Sequence, residues 1–146
     1  MSLLSKTFRY FTLKKEEKLL FHQALKLLIS WKIRIVFLPM RNYVKLFGEK
    51  GKEATSIDVP DADEIYKFSF AIHRADSALP WRSKCLTEAI ATKRLLARYN
   101  KKSTLFLGVA KDERQKLIAH AWLKYSQKII MGEKGHQKFT VVEKFA

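Results

Sequence analysis

The only cysteine of the chain, Cys85, lies in the stretch ALPWRSKCLTEAIATKRLLARY, residues 78–99, where an apolar helix is predicted to begin. A thiol is a useful nucleophile only as the thiolate, and the unpaired amides and positive dipole end at a helix start stabilise a thiolate. The same amides can bind the oxyanion that develops during acyl transfer. A single buried cysteine, however, is commonly an inert packing residue. A nucleophilic Cys85 therefore requires a base beside it.

Histidine is the expected base, and His120 is the best placed of the four in the chain. In LIAHAWLKY, the alternation of a strand puts His120, Trp122 and Lys124 on one face. Two alanines flank His120 and would let another element approach closely. The alternative is a hydrogen-bonded core histidine. A catalytic pair requires the sulfur of Cys85 and the ring of His120 to meet in an open groove.

A third group normally orients the imidazole, and Glu133 is the predicted one. If residues 126–127 form a two-residue hairpin turn, the register places His120 opposite Glu133. A three-residue turn would place Gly132 there instead. Glu133 would then be an ordinary exposed charge at a strand end.

Two tryptophans are candidates for lining a substrate cleft. Trp81 lies four residues before Cys85 and could wall the cleft and exclude water, whereas Trp122 shares the face of His120 and could cover the pair. Packing roles are equally typical of both residues.

The elements that must position these residues begin with an amphipathic helix between Thr12, its predicted N-cap, and Ile35. Pro39 ends this run, and three basic residues within it exclude a helix that spans a membrane. A core-packing helix is favoured, and a helix lying on a membrane surface is the alternative. The apolar stripe consists of Leu20, Ala24, Leu27, Leu28, Trp31 and Ile35.

Shorter elements follow this helix. A basic helical piece is predicted over residues 40–48, and a polar loop separates it from the next helix. Asp61 is the predicted N-cap of that helix, which stops before Pro80. Ser83 is the predicted N-cap of the helix that bears Cys85.

In the last third of the chain the apolar residues recur at every second position. Four short segments rich in β-branched and aromatic residues, STLFLGVA, LIAHAWLKY, KIIMG and KFTVVEKF, predict strands separated by polar turns. We expect an α+β fold in which helices come first and an antiparallel sheet comes last. The length predicts a single domain over residues 1–146, with a basic helical part over residues 1–50 and a core over residues 60–146.

Composition bounds the partners. The formal net charge of +15 must attract something negative: nucleic acid, an anionic membrane surface, or an acidic protein or peptide. No nucleic acid is expected, because the basic residues are dispersed and no recognised binding motif stands out. The lone cysteine excludes internal disulfides and multi-cysteine metal sites, and no secretory signal pattern follows Met1. We expect a cytoplasmic protein, in contact with a membrane if the first helix lies on one, that uses no metal or cofactor.

The order of a cysteine at a helix start, then a histidine and an acid on consecutive strands, is that of transglutaminase-like and papain-like folds. Beyond this order, the chain resembles the lasso-peptide leader peptidases, the transglutaminase-like half of the lasso and microcin processing proteins, in their stand-alone form. The motif residues that carry the resemblance are Pro80 and Trp81, Cys85 and Leu86, Gly108 and Val109, and Ala119 to Trp122.

The resemblance implies a cysteine peptidase with a papain- or transglutaminase-like core. Such an enzyme removes the leader from a ribosomally made precursor peptide before an ATP-dependent cyclase closes the macrolactam. It also implies that a separate small protein recognises the leader. The chain departs from the family pattern at Lys124 and in the turn at residues 126–127, and Gly132 stands where an acid is often found. A transglutaminase-like acyl transferase, or a basic membrane- or nucleic-acid-binding module without catalysis, is the alternative.

Overall fold

A computed structural model describes residues 9–55, 59 and 61–146 of the chain. Helices make up the first part and strands the last part, so the predicted α+β fold is confirmed. The helices are α1 (Lys15–Phe37), α2 (Met40–Tyr43), α3 (Ala62–Ala78) and α4 (Cys85–Arg98), with 3₁₀ turns at Val44–Phe47 and His136–Lys138. The strands are β1 (Thr104–Lys111), β2 (Leu117–Tyr125), β3 (Lys128–Met131) and β4 (Thr140–Phe145).

Helix α1 buries the stripe that its periodicity predicts, but it begins later than expected. Lys14, not Thr12, is the N-cap, and its N–H donates to the carboxylate of Glu17 at 2.9 Å. The hydroxyl of Thr12 instead donates to the carbonyl of Arg9 at 2.8 Å. The prediction of Thr12 as the cap is therefore wrong, because a carboxylate inside the first turn supplies the acceptor.

Helix α3 begins and ends as predicted. The side chain of Asp61 accepts from the N–H of Asp63 at 3.3 Å, and the helix stops at Ala78, before Pro80. Its buried stripe includes one charged residue, Asp76, at 4% exposure. A carboxylate this deep requires compensating partners, which the segment before α4 supplies.

The four strands form one antiparallel sheet in the order β3-β2-β1-β4. Residues of α1, α3 and α4 pack on one face of the sheet, where Leu105, Ala121 and Leu123 are buried. Leu96 of α4 is fully buried in the same cluster. Burial of a leucine of this kind contributes about 1.5 to 3 kcal/mol to folding.

The end of α1 does not join this core. Val36 and Phe37 are 57% and 77% exposed, beside the half-buried Arg34. Among the residues that the structure describes, no helix combines the length and the apolar character that a bilayer crossing demands.

Candidate active site

Cys85 is the first residue of α4, as the sequence predicts. It is a free thiol, partly buried, and contacts the hydrophobic core from the helix side. The residue before it, Lys84, is the N-cap, and its side chain forms no capping hydrogen bond. The first amides of α4 are thus open to a negative charge beside the thiol.

Ser83 does not cap α4, which corrects the sequence prediction. It lies one residue before the N-cap, and its backbone N–H donates to Oδ1 of Asp76 at 2.9 Å. Oδ2 of Asp76 lies 3.7 Å from a guanidinium nitrogen of Arg82. The buried carboxylate of α3 therefore holds the segment that leads into Cys85.

A second carboxylate, Glu88, lies one turn after Cys85. Burial, reinforced by the negative charge of Asp76 and opposed by Arg82, raises the pKa of Glu88 to about 7. The start of α4 consequently carries a carboxyl group that takes up a proton near neutral pH.

His120 lies on β2, where its Nε2 is 2.8 Å from the carbonyl oxygen of Gly132. A carbonyl can only accept, so Nε2 carries the hydrogen and donates it. In the neutral ring the lone pair is then on Nδ1, the nitrogen that could take a proton from a thiol. His120 is therefore oriented by a backbone group.

Trp122 and His120 share a face of the sheet that is separate from the helix-packed core. The ring of Trp122 stacks on Phe106 at a centroid distance of 5.7 Å, and His120 lies 5.0 Å from Phe139. Gly108 makes this packing possible, because a Cβ there would come within 2.8 Å of the Trp122 ring. Trp122 packs against β1 and is 5% exposed.

Cys85 and His120 lie on two elements, α4 and β2, that pack against each other. Nζ of Lys93 donates to the carbonyl of Ser103, so β1 starts beside the second half of α4. Gly108 of β1 pairs with His120 of β2.

The two residues do not form a hydrogen-bonded pair in the described part of the chain. Ala121 and Leu123 of β2 face the helices, so the alternating His120 faces the aromatic side of the sheet. Cys85 contacts the helix side. The predicted roles of both residues therefore stay predictions, and a reaction between them requires the ring to turn towards the sulfur.

The predicted register around Glu133 is not the one that forms. Residues 126–127 do make a two-residue turn, but a bulge then shifts the pairing, so that Leu123 lies opposite Met131. Because of the extra residue in β3, continuing this register would leave Glu133 one position short of the point opposite His120. Its exposed side chain lines a shallow cavity of about 280 Å³ beside α3.

Trp81 is partly buried in the segment before α4. Its indole Nε1 is buried without a hydrogen-bond partner among the described residues. This placement fits a packing residue and a cleft wall equally well, so its role stays a prediction.

Comparison with known proteins identifies the family. A family model described as the transglutaminase-like superfamily matches residues 28–144, which include Cys85, His120 and almost the whole sheet. The chain belongs to the transglutaminase-like superfamily. No curated protein and no solved structure matches it. The superfamily includes cysteine peptidases and acyl transferases, so the α+β core is the framework of a cysteine-based enzyme family.

Three features of this transglutaminase-like site were missed by the sequence analysis. The carbonyl of Gly132 escapes any search for side chains, and Glu88 lies on a helix where carboxylates are ordinary. Asp76 left a signal, since it falls four residues after Ile72 on the buried stripe of α3. A charge on an apolar stripe indicates a structural or functional partner.

Proposed function

We propose that this protein is a cysteine peptidase that removes the leader from a lasso-peptide precursor. Membership of the transglutaminase-like superfamily supports the cysteine chemistry, and the motif around Trp81, Cys85 and His120 supports the leader-peptidase class. The observation that carries the proposal is the place of Cys85 at the uncapped start of α4.

The reaction begins when the thiolate of Cys85 attacks the carbonyl carbon at the junction of leader and core peptide. Nδ1 of His120 takes the thiol proton and returns it to the leaving amine as the peptide bond breaks. Water then hydrolyses the thioester, which frees the leader and restores the thiol. The open amides of α4 stabilise the oxyanion at both steps.

His120 must approach Cys85 for this sequence of steps. Its strand extends beyond the helices, since Leu117 and Ile118 are 72% and 39% exposed. Catalytic hydrogen bonds are often long or misaligned without substrate and tighten when it binds. We infer that binding of an extended precursor draws the imidazole towards the sulfur.

The partners follow from the same family. A separate leader-recognition protein presents the precursor, and an ATP-dependent cyclase consumes the freed amine. The exposed apolar end of α1, flanked by Lys32 and Arg34, makes an anionic membrane surface a further candidate partner. Flotation with anionic vesicles, but not with neutral ones, is the expected result if α1 binds there.

The decisive experiment uses a lasso-peptide precursor together with a leader-recognition protein. Wild type should release the leader, and Cys85→Ala should lower kcat on the order of a million-fold, as loss of a nucleophile does. Mass spectrometry of the products measures the release. Unchanged cleavage by Cys85→Ala would end the peptidase proposal, and incorporation of an added amine in place of water would assign an acyl transferase.

A second experiment needs no substrate. Alkylation of Cys85 by iodoacetamide at pH 7 should be slower by about tenfold or more in His120→Gln if the imidazole activates the thiol. His73→Gln, a histidine of α3, is the matched control and should react as wild type. Equal rates in all three proteins would show that His120 does not reach the sulfur.

A further inference from the structure

A cavity of about 630 Å³ lies against the second half of α4, away from Cys85. The segments over residues 47–55 and 93–103 form its walls. Lys93 lies about 12 Å along the helix axis from Cys85, so the cavity is separate from the candidate active site.

Lys93 is the buried charge of this cavity. Lys93 is only 9% exposed, and its Nζ donates to the carbonyl of Ser103 at 2.5 Å. An ammonium group has three hydrogens to donate, and this carbonyl is its one acceptor in the described part of the chain. A buried cation with so few partners is costly, which suggests that a missing partner is negative.

Ser103 provides a second unsatisfied group in the same wall. The residue is 2% exposed, and its hydroxyl has no hydrogen-bond partner among the described residues. Buried hydroxyls are rarely left unpaired. Ser103 lines the cavity, so this unpaired hydroxyl belongs to the same wall as the ammonium of Lys93.

The charges around the cavity are predominantly positive. Its two acidic side chains are already engaged, Glu49 with Lys52 and Glu53 with Lys144, and the carbonyl oxygen of Ala146, which also lines it, accepts from the N–H of Glu49. Lys101, which also lines the cavity, pairs with Glu64. The lining cations without an ion pair in the described residues are Lys93, Arg94 and Lys102.

We propose that this cavity binds a small molecule carrying a phosphate group, with the phosphate on the ammonium of Lys93 and the hydroxyl of Ser103. Arg94 and Lys102 lie at the rim and add positive charge. Lysine is a common phosphate ligand, and the volume is within the range of small-molecule sites. The site is independent of the proposed peptidase reaction.

Proton linkage follows from the position of Lys93. Burial, with the nearby charge of Arg94, lowers its pKa to about 8. The group is therefore charged at pH 7 and largely neutral at pH 9.5, so phosphate should bind more tightly at the lower pH.

The test titrates inorganic phosphate and pyrophosphate into the full chain at constant ionic strength and follows backbone amide signals by NMR. Wild type should show saturable shifts at residues 93–103, with a half-point below about 5 mM at pH 7. Lys93→Met and Ser103→Ala should each weaken binding at least about fivefold, and Lys134→Ala, an exposed lysine outside the cavity, should not.

Three results would overturn the proposal: no saturation, equal shifts in Lys93→Met, or equal shifts when chloride replaces phosphate. Lys93→Met is expected to fold, because it replaces a buried charge by an apolar side chain of similar shape. Cys85→Ala should bind phosphate as wild type does, so phosphate binding can be tested even if the peptidase proposal fails.

Discussion

The two halves of helix α4 carry charged groups of opposite sign. At its start, the thiol of Cys85 stands among open amides and near the carboxylates of Asp76 and Glu88. In its second half, Lys93 and Arg94 face a cavity with a positive lining. Acids near the start and bases farther along both follow the helix dipole.

Burial shifts the two ionisable groups of α4 in opposite directions. It raises the pKa of Glu88 to about 7 and lowers the pKa of Lys93 to about 8. In each case the neutral form is favoured, because a low-dielectric surrounding disfavours charge of either sign. One helix therefore carries two groups that change charge within about one pH unit of each other.

The largest expected effect tests whether the start of α4 is the reactive half. His120→Gln should lower leader cleavage on the order of a million-fold, because a nucleophile and its base act as a unit. Lys93→Met should cleave the leader at the wild-type rate. Both are measured by product release from the same precursor.

Glu133→Gln is the contrasting change. The bulge removes Glu133 from the position opposite His120, so leader cleavage should fall by less than about tenfold. A loss of about ten thousand-fold would instead assign it the orienting role that the sequence predicts.

Asp76→Ala should have the next largest effect, on stability. It removes the acceptor for the N–H of Ser83 and the ionic partner of Arg82, and should lower the free energy of unfolding by about 2 to 3 kcal/mol. Urea denaturation measures it. Glu113→Ala, on an exposed turn, should change stability by less than about 0.5 kcal/mol, and an equal loss there would contradict a specific role for Asp76.

Because the pKa of the buried Lys93 is lowered, the free energy of unfolding should rise with pH. Between about 8, the folded pKa of Lys93, and the ordinary 10.5, the unfolded chain holds a proton that the folded chain has lost. The free energy of unfolding should therefore increase by about 2 kcal/mol across this window, and Lys93→Met should remove the increase. Denaturant unfolding at pH 7.5, 9 and 10 checks it, and an identical slope in the variant would refute it.

The acid at the start of α4 should act in the opposite sense and more weakly, since Glu88 retains some exposure. Between the ordinary pKa of 4.5 and about 7, the folded chain holds a proton that the unfolded chain has lost. Stability should fall by about 1 kcal/mol as the pH rises through this window. Glu88→Gln should flatten this fall, and Glu113→Gln should not; the same unfolding series at pH 4.5 to 7.5 measures both.

Periodicity predicted the large elements because burial enforces it. The stripe from Leu20 to Trp31 is buried in α1, and the alternation around His120 separates the two faces of β2. Helix starts were less predictable, since the Glu17 carboxylate binds the N–H of the N-cap Lys14 in α1, and Asp76 binds the N–H of Ser83 before α4. A single sequence does not show which of several nearby acceptors will bind the N–H groups at a helix start.

The candidate site shows the same division. Cys85 at a helix start follows from local signals, and its helix packs against the strand that carries His120. The bulge opposite Leu123 is one extra residue in a short strand, and nothing in KIIMG announces it. On the face away from the helices, the ring of His120 packs against Phe139, which is distant in the sequence, so this contact could not be read from the local pattern.

The bulge has a consequence for how the imidazole is controlled. The oxygen that receives its hydrogen belongs to the main chain at Gly132, and a peptide carbonyl neither ionises nor disappears when a side chain is exchanged. Substitutions in the surrounding sequence can move this hydrogen-bond acceptor but cannot remove it. Acidification likewise leaves it intact, so this support contributes no acid limb to a rate profile.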